Sequence, residues 1–167
     1  FQYYKQVASH LGGVRNDMVV SWPKKITGTG GVRSQFLSVT DIVPTILDAT
    51  GVPQPRSING VEQKPLDGIS FAYTFDKPDA PSQRSEQVFE MVQNLAIYKD
   101  GWWANTTPIA APWDILAKGA NAELSKRTWQ LYNLSADFSQ SNDLAAKNPA
   151  KLGEMKDLFF KRAAENN

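Results

Sequence analysis

The stretch "EQVFEMVQNLAIYKDGWWANT", residues 86–106, indicates the fold of the second half of this chain. It is rich in aromatic and branched apolar residues, which favour strands. Asp100-Gly101 divides it into two strand-like runs, and this dipeptide favours a tight turn between antiparallel neighbours. We therefore predict an antiparallel sheet built around this hairpin.

The sequence that follows extends the sheet and adds a helix. "TWQLYNL", residues 128–134, has the composition of a further strand. From Pro149 onward the apolar residues recur at helical spacing, at Leu152, Met155, Leu158 and Phe159. We expect an amphipathic helix that covers the antiparallel sheet and ends the chain.

The first half of the chain has the signals of an α/β sheet. "MVVSW", residues 18–22, is an apolar run typical of a buried strand. "TDIVPTILDATG", residues 40–51, predicts a helix with Asp41 as N-cap, Pro44 in the first turn and Gly51 as the C-terminal stop. Its apolar residues are expected to pack on that sheet: Ile42, Val43, Ile46 and Leu47.

The character of the sequence changes near residue 80, in the Pro- and charge-rich stretch "DKPDAPSQRSE" of residues 76–86. We predict two regions on either side of it. Residues 1–80 would be the end of an α/β domain, and residues 81–167 an antiparallel-sheet subdomain with a terminal helix.

Composition excludes several classes of function. The chain is 41% apolar and 21% charged with a net charge of +1, so it lacks the basic excess that dominates binding to nucleic acid or anionic lipid. No apolar stretch approaches the ~20 residues that cross a bilayer. Cysteine is absent, which excludes disulfides and thiolate catalysis but leaves the compartment open. We expect neither nucleic acid nor a membrane as partner.

The stretch "KQVASHLGGVR", residues 5–15, combines a lysine, the single histidine and an arginine with a Gly-Gly pair. An ammonium group can stabilise developing negative charge, and an imidazole can donate a proton. Glycine lets the backbone approach a site closely. These residue types suit chemistry on an anionic group. The alternative is that Lys5 and His10 are ordinary surface residues without a chemical role.

Four stretches, in this order, resemble the C-terminal part of a sulfatase of the bacterial arylsulfatase type, in the alkaline-phosphatase-like superfamily. They are "FQYYKQVASHLGGVRNDMVVSWPKKI", "SVTDIVPTILDATGVPQP", "NGVEQKPLDGISF" and "WQLYNLSADFSQSNDLA". The chain departs from the common family pattern at Leu11 and Asp17, where many members have Glu and Pro. The resemblance covers most of the chain.

The resemblance implies an α/β, alkaline-phosphatase-like fold: the end of the main sheet, plus a small C-terminal antiparallel sheet capped by a terminal helix. It also implies hydrolysis of a sulfate monoester, an aryl one, to an alcohol or phenol plus sulfate. Members of the family use a calcium ion and a formylglycine made within Cys/Ser-x-Pro-x-Arg, and this sequence has no such motif. The chain is therefore expected to be a fragment, inactive alone, whose missing N-terminal catalytic part supplies both.

The resemblance places Lys5 near the family's sulfate-contacting lysine, against the alternative of a solvated surface lysine. His10 is expected either to donate a proton to the leaving oxygen or to orient the glycine turn, and Arg15 to anchor that loop. No residue of this chain is expected to bind the metal.

Two other functions stay open at this point. One is hydrolysis of a phosphonate or phosphate monoester within the same superfamily. The other is a non-catalytic binding or interaction module made of the strands after residue 80. The adjacent Trp102 and Trp103 bear on the second, because neighbours on a strand face opposite ways. One is expected in the core, and the other against a cleft or a domain contact.

Overall fold

A computed structural model of the chain describes residues 1–28, 30–108, 110–111, 113–114 and 126–165. It divides into two compact units. The sheet unit consists of Phe1–Asp17 and Glu86–Asn167, and the connecting unit is Met18–Ser85. The domain boundary at residue 80 stays a prediction for the whole protein. In this structure residues 1–17 pack with the sheet that begins at residue 86.

The described elements are three α-helices, six strands and two short 3-10 helices. The helices are α1 (Leu11–Val14), α2 (Ile42–Thr50) and α3 (Pro149–Glu165), with 3-10 turns at Val39–Asp41 and Ala72–Thr74. The strands are β1 (Ser57–Ile58), β2 (Val61–Glu62), β3 (Glu86–Met91), β4 (Asn94–Lys99), β5 (Trp102–Thr106) and β6 (Trp129–Asn133). None of the helices in the described part of the chain is long and apolar enough to cross a membrane.

The sheet unit contains a four-stranded antiparallel sheet in the order β3-β4-β5-β6. Two-residue turns join its first three strands. Asp100 and Gly101, between β4 and β5, both have positive φ, as a turn of type I′ requires. The predicted hairpin, the further strand and the mixed α/β class are confirmed.

One face of this sheet is apolar and carries α3. Buried side chains of β4, β5 and β6 pack there with Met155 and Phe159 of the helix. The spacing of these two residues places them on the same side of α3. Trp129 meets the ring of Phe159 edge to face at 5.5 Å. The predicted terminal helix and its position over the sheet are confirmed.

The opposite face of the sheet is covered by residues 1–15, here called the covering segment. Trp103 lies on this face, fully buried, and its indole Nε1 donates a hydrogen bond to the carbonyl of Ser9 at 2.9 Å. Asn94 donates to the carbonyl of Gln6 at 3.4 Å. Trp102, on the other face, packs against the apolar core. The expectation that the two tryptophans face opposite ways is confirmed.

The connecting unit is organised around the buried carboxylate of Asp41. Asp41 accepts the backbone N–H of Ser38 and of Ile69, each at 2.8 Å, and pairs with the guanidinium of Arg84. Its hydrogen bonds with Arg84 and these amides outweigh desolvation and hold its pKa below the usual value. The expected N-cap role is wrong in detail, because the side chain caps the preceding 3-10 turn and makes no cap bond to α2.

Two other expectations for this unit are not met. Residues 18–22 form no strand, and Val19 is 93% exposed. Val43 and Ile46 of α2 are also exposed. A strand needs a neighbour to satisfy its backbone groups, and the only paired strands described in this unit are β1 and β2. Gly51 does end α2 with a left-handed φ of 70°, as predicted.

Candidate functional site

Lys5 lies at the tip of a tight turn in the covering segment. The turn is closed by a hydrogen bond from the N–H of Val7 to the carbonyl of Tyr4 at 3.1 Å. Gln6 has a φ of +78°, which suits the third position of a type II turn. Val7 is fully buried while Lys5 is exposed. The turn therefore has an anchored base and presents the ammonium group to solvent.

His10 has the opposite environment, since it is fully buried. Its Nδ1 lies 3.0 Å from the hydroxyl of Ser9, and its Nε2 lies 3.4 Å from the amide nitrogen of Asn105. The ring also contacts that of Tyr3, with centroids 4.6 Å apart. Both ring nitrogens thus face protein groups.

The surroundings of His10 keep the imidazole neutral at pH 7. Burial lowers its pKa from 6.5 to about 4, against a smaller opposing effect of a hydrogen bond with Gln130. Burial also raises the pKa of the neighbouring Tyr132 to about 12. His10 and Tyr132 are therefore both uncharged near neutrality.

The hydrogen-bond pattern favours one tautomer of His10. The two amide hydrogens of Asn105 have better acceptors than the ring, namely the carbonyl of Thr106 at 3.1 Å and the Oε1 of Gln130 at 3.2 Å. The Nε2 of His10 is then best placed as a donor to Gln130, while Nδ1 accepts from the Ser9 hydroxyl. The imidazole is held from both sides.

The Gly-Gly pair is required by close packing within the covering segment. A Cβ on Gly12 would lie 2.2 Å from the carbonyl oxygen of Tyr3, and one on Gly13 would lie 2.1 Å from that of Val7. Neither glycine has a positive φ, so space and not backbone conformation excludes a side chain. The pair lets α1 fold back onto the turn that carries Lys5.

The loop after β6 contributes the remaining contacts to this region. Gln140, fully buried, accepts the N–H of Leu11 through its side-chain Oε1 at 2.7 Å. The guanidinium of Arg15 stacks on the ring of Phe138 at 4.3 Å. Arg15 thus contacts the loop after β6 through its planar face, and the predicted anchoring of the glycine turn through its N–H donors stays a prediction.

The described residues do not fit the metal or the nucleophile that the resemblance implies. They contain no group of three or more His, Cys, Asp or Glu side chains that could hold a metal ion. The sequence also has no Cys/Ser-x-Pro-x-Arg motif from which formylglycine could form. Calcium binding therefore has no candidate ligand cluster in the described part of the chain, and the sequence offers no precursor motif for the nucleophile.

Comparison with known proteins identifies relatives of this chain. No family model matches it. An uncharacterised sulfatase of Schizosaccharomyces pombe is 25% identical over 159 residues, which are 92% of this chain and 26% of that protein. The chain is related to the sulfatases. It spans about a quarter of the length of this sulfatase relative.

A solved sulfatase structure from work on glycosaminoglycan metabolism by Bacteroides thetaiotaomicron is also similar to this sulfatase-related chain. It is 26% identical, with a TM-score of 0.48. The similarity covers 72% of this chain and 24% of that one. In both comparisons the relative is several times longer than the region shared.

Several residues around the candidate site were not found by sequence reasoning. Ser9, Asn105, Gln130 and Gln140 are polar residues that alternate with, or follow, apolar ones, a pattern that ordinarily indicates exposed positions. Three of these residues are fully buried: Ser9 within the covering segment, and Asn105 and Gln140 against it. Asn105 begins an Asn-x-Thr triplet, the acceptor pattern for glycosylation, yet its burial leaves no room for a glycan.

Proposed function

We propose that this chain is the C-terminal part of an arylsulfatase that hydrolyses sulfate monoesters, and that Lys5 contacts the sulfuryl group. The observation that carries the proposal is the turn of Tyr4–Val7, which presents an exposed ammonium group on a fixed backbone. The relationship to sulfatases supports the reaction class. The proposal assigns the calcium ion and the formylglycine to residues outside this chain.

The chemistry of the reaction gives Lys5 its role. Cleavage of a sulfate ester increases negative charge on the sulfuryl oxygens and on the leaving oxygen. A positively charged group placed beforehand near these oxygens lowers the barrier, because it interacts more strongly with the transition state than with the substrate. A lysine on a fixed turn meets this requirement, because the backbone that carries it does not have to move when the transition state forms.

His10 is proposed as part of the same site through its effect on the backbone. Its burial and its hydrogen bonds with Ser9 and Gln130 favour the loop-orienting role over that of a proton donor to substrate. The imidazole links the covering segment to Gln130 of β6 and lies beside Asn105 of β5. Its proposed function is to hold the segment that carries Lys5.

The exposed apolar residues of the connecting unit support the proposal that a longer protein completes the fold. Met18, Val20, Val43 and Ile46 are each more than two-fifths exposed, in addition to Val19. Exposed apolar groups of this kind mark contact surfaces. We expect the isolated 167-residue chain to bind a hydrophobic dye or to associate, and a monomeric chain that binds no dye would contradict this.

The experiment that tests the proposed function compares Lys5→Ala with Lys147→Ala in the full-length protein. Lys147 is an exposed lysine of the same unit and serves as the control. With a nitrophenyl sulfate, Lys5→Ala should lower kcat/KM by about 10²-fold or more, and Lys147→Ala should leave it unchanged. An unchanged kcat/KM in Lys5→Ala would reject the sulfate contact.

The choice of substrate separates the proposal from its alternatives. Faster turnover of a phenyl phosphonate or phosphate than of the matching sulfate would favour the phosphonate or phosphate hydrolase. The non-catalytic module predicts that residues 81–167 bind a sulfated sugar alone, which isothermal titration measures. Removal of the covering segment would expose the buried Trp103 and Tyr132, so this part of the chain is poorly suited to act independently.

The role of His10 is tested with two aryl sulfates of different leaving-group pKa. A proton donor matters most for the poorer leaving group, because a good leaving group departs without a proton. A histidine that only orients the loop affects both substrates alike. We expect His10→Ala to lower kcat/KM by similar factors for both, and a much greater loss with the poorer leaving group would restore the acid role.

A further inference from the structure

Gln140 joins the loop after β6 to the covering segment by two hydrogen bonds. Its side-chain Oε1 accepts the N–H of Leu11 at 2.7 Å, and its backbone carbonyl accepts from the side chain of Gln2. Gln140 and Leu11 are 129 positions apart in the sequence. Both residues are buried, so water cannot replace the hydrogen bond between them.

The N–H of Leu11 is a group that the local sequence leaves unsatisfied. Leu11 begins α1, and the first N–H groups of a helix have no partner inside it. His10, which precedes it, makes no side-chain cap hydrogen bond, because its ring faces Ser9 and Asn105. Gln140 therefore supplies the cap from a distant loop.

Gln140 itself is held in a conformation that non-glycine residues rarely adopt. Its φ is +61°, in the left-handed region. Asp137 fixes this geometry: its carbonyl accepts the N–H of Gln140 at 3.2 Å, and its carboxylate accepts that of Asn142 at 2.7 Å. The hydroxyls of Ser139 and Ser141 also donate to this carboxylate. Such over-determined strain concentrates at functional sites.

The covering segment has the same kind of strain on both sides of Lys5. Tyr3 and Gln6 have φ values of 60° and 78°, and neither is glycine. The base of the turn is held through Gln6, whose carbonyl accepts from Asn94. The segment is thus anchored before Lys5 by Gln2, beside Lys5 by Gln6 and after it by Leu11, and two of these three contacts are made by Gln140.

We propose that Gln140 is a positioning residue, which fixes the covering segment and thereby the Lys5 ammonium relative to a bound sulfuryl group. The catalytic part of this proposal rests on the proposed function, whereas the clamp on Leu11 does not. A displacement of about 1 Å at a catalytic group can cost about 10²-fold in rate. A single buried hydrogen bond can therefore affect the reaction without touching the substrate.

Substitutions at Gln140 distinguish the effect of its hydrogen-bond acceptor from the effect of its side-chain volume. Gln140→Met removes the acceptor at similar size, and Gln140→Gly removes it while suiting the positive φ. Gln140→Glu keeps an acceptor oxygen and replaces Nε2, which has no hydrogen-bond partner among the described residues, with a second carboxyl oxygen. Ser135→Ala, at an exposed position of the same loop, is the control. The measurements are amide hydrogen exchange at Leu11 in the chain, and kcat and KM of the full-length protein on a nitrophenyl sulfate.

The clamp predicts one pattern of results. Gln140→Met and Gln140→Gly should speed exchange at Leu11 at least about fivefold, the equivalent of one net hydrogen bond. They should lower kcat roughly tenfold with little change in KM, because a displaced lysine loses contact mainly in the transition state. Gln140→Glu should recover most of both losses, and Ser135→Ala should change neither.

Other patterns overturn the proposal at a defined step. Unchanged exchange at Leu11 in both acceptor-free variants rejects the clamp. Faster exchange with unchanged kcat rejects the positioning role, and equal losses in Gln140→Glu show that the acceptor is not what matters. If the unsubstituted full-length protein does not hydrolyse sulfate esters, the proposed function fails and the positioning role fails with it, while the exchange measurement still decides the clamp.

Discussion

The two faces of the four-stranded sheet are covered in different ways. On one face α3 buries apolar side chains, among them Leu131, Met155 and Phe159. On the other, the covering segment is attached by hydrogen bonds to Trp103, Asn94 and Gln140, with His10 buried among polar groups. A regular helix covers the first face and a strained, irregular segment covers the second.

This difference shows how one sheet serves two purposes. Apolar burial is non-directional and roughly proportional to area, so it stabilises α3 over the sheet without fixing each atom. Hydrogen bonds are directional and contribute little net free energy, but leaving one unmade in a buried site is costly. The face under the covering segment, here called the polar face, also buries Val7, Leu11 and Trp103, so both faces contribute to stability. The directional contacts of the polar face determine where Lys5 lies.

The largest effect is expected on the apolar face. Phe159→Ala removes a buried ring that packs on Trp129, and should lower the free energy of unfolding by about 3 to 5 kcal/mol. This corresponds to a decrease in melting temperature of roughly 10 °C. Phe160→Ala is the control, because Phe160 is 43% exposed. Equal losses in both variants would mean that burial against the sheet is not what stabilises α3.

The polar face should make stability depend on pH through His10. The folded chain has a His10 pKa of about 4 and the unfolded chain one of 6.5, so between these values only the unfolded state gains the proton. Stability from this residue is complete above pH 6.5 and falls as the pH falls to 4, by about 3 kcal/mol in total. Urea unfolding across this range measures it.

The control for this prediction is His10→Gln, which cannot titrate. The carboxylates, including Asp41 with its lowered pKa, contribute to both proteins, so the difference between the two curves isolates His10. Because His10 is the only histidine, its ring ¹⁵N shifts also report the tautomer directly. Parallel curves for the two proteins, or a ring protonated near pH 6, would show that the polar face is open to water.

The smallest expected change in unfolding free energy is the difference between substitutions of the two adjacent tryptophans. Trp103→Phe removes the donor to the Ser9 carbonyl and leaves that carbonyl buried without its partner, which should cost about 1 to 2 kcal/mol. Trp102→Phe makes the same change of ring on the apolar face and is expected to cost less. Hydrogen exchange in residues 5–13 should rise only in Trp103→Phe. Faster exchange in both variants would show that the covering segment does not depend specifically on the hydrogen bond of Trp103.

Much of the fold could be predicted from local sequence. The hairpin at Asp100-Gly101, the terminal helix and the end of α2 at Gly51 each depend on residues near one another in the chain. The strand predicted at residues 18–22 does not form, because an apolar run specifies burial only where a partner is present. Asp41 precedes a helix as an N-cap would, but its buried partner is Arg84, 43 positions later.

The candidate site was harder to predict for the same reason. Lys5 and His10 were singled out by residue type and by resemblance, whereas the contacts that hold them come from positions about 90 to 130 residues away. The sequence around Asn105 and Gln140 does not indicate that they are buried, because a polar residue has the same letter whether it is buried or exposed. Their partners become apparent only when the backbone groups that need them are located.

The sheet unit is discontinuous in the chain, with the connecting unit Met18–Ser85 inserted into it. During synthesis from the N-terminus, residues 1–17 leave the ribosome before the sheet beneath them, which is incomplete until β6 and Gln140 have followed. Closing so long a loop is slow, and pairing over such distances limits folding rates. The sheet and α3 have far more local contacts, so they should assemble first. The covering segment, although made before the sheet, would then dock after it, and Lys5 would reach its place late in folding.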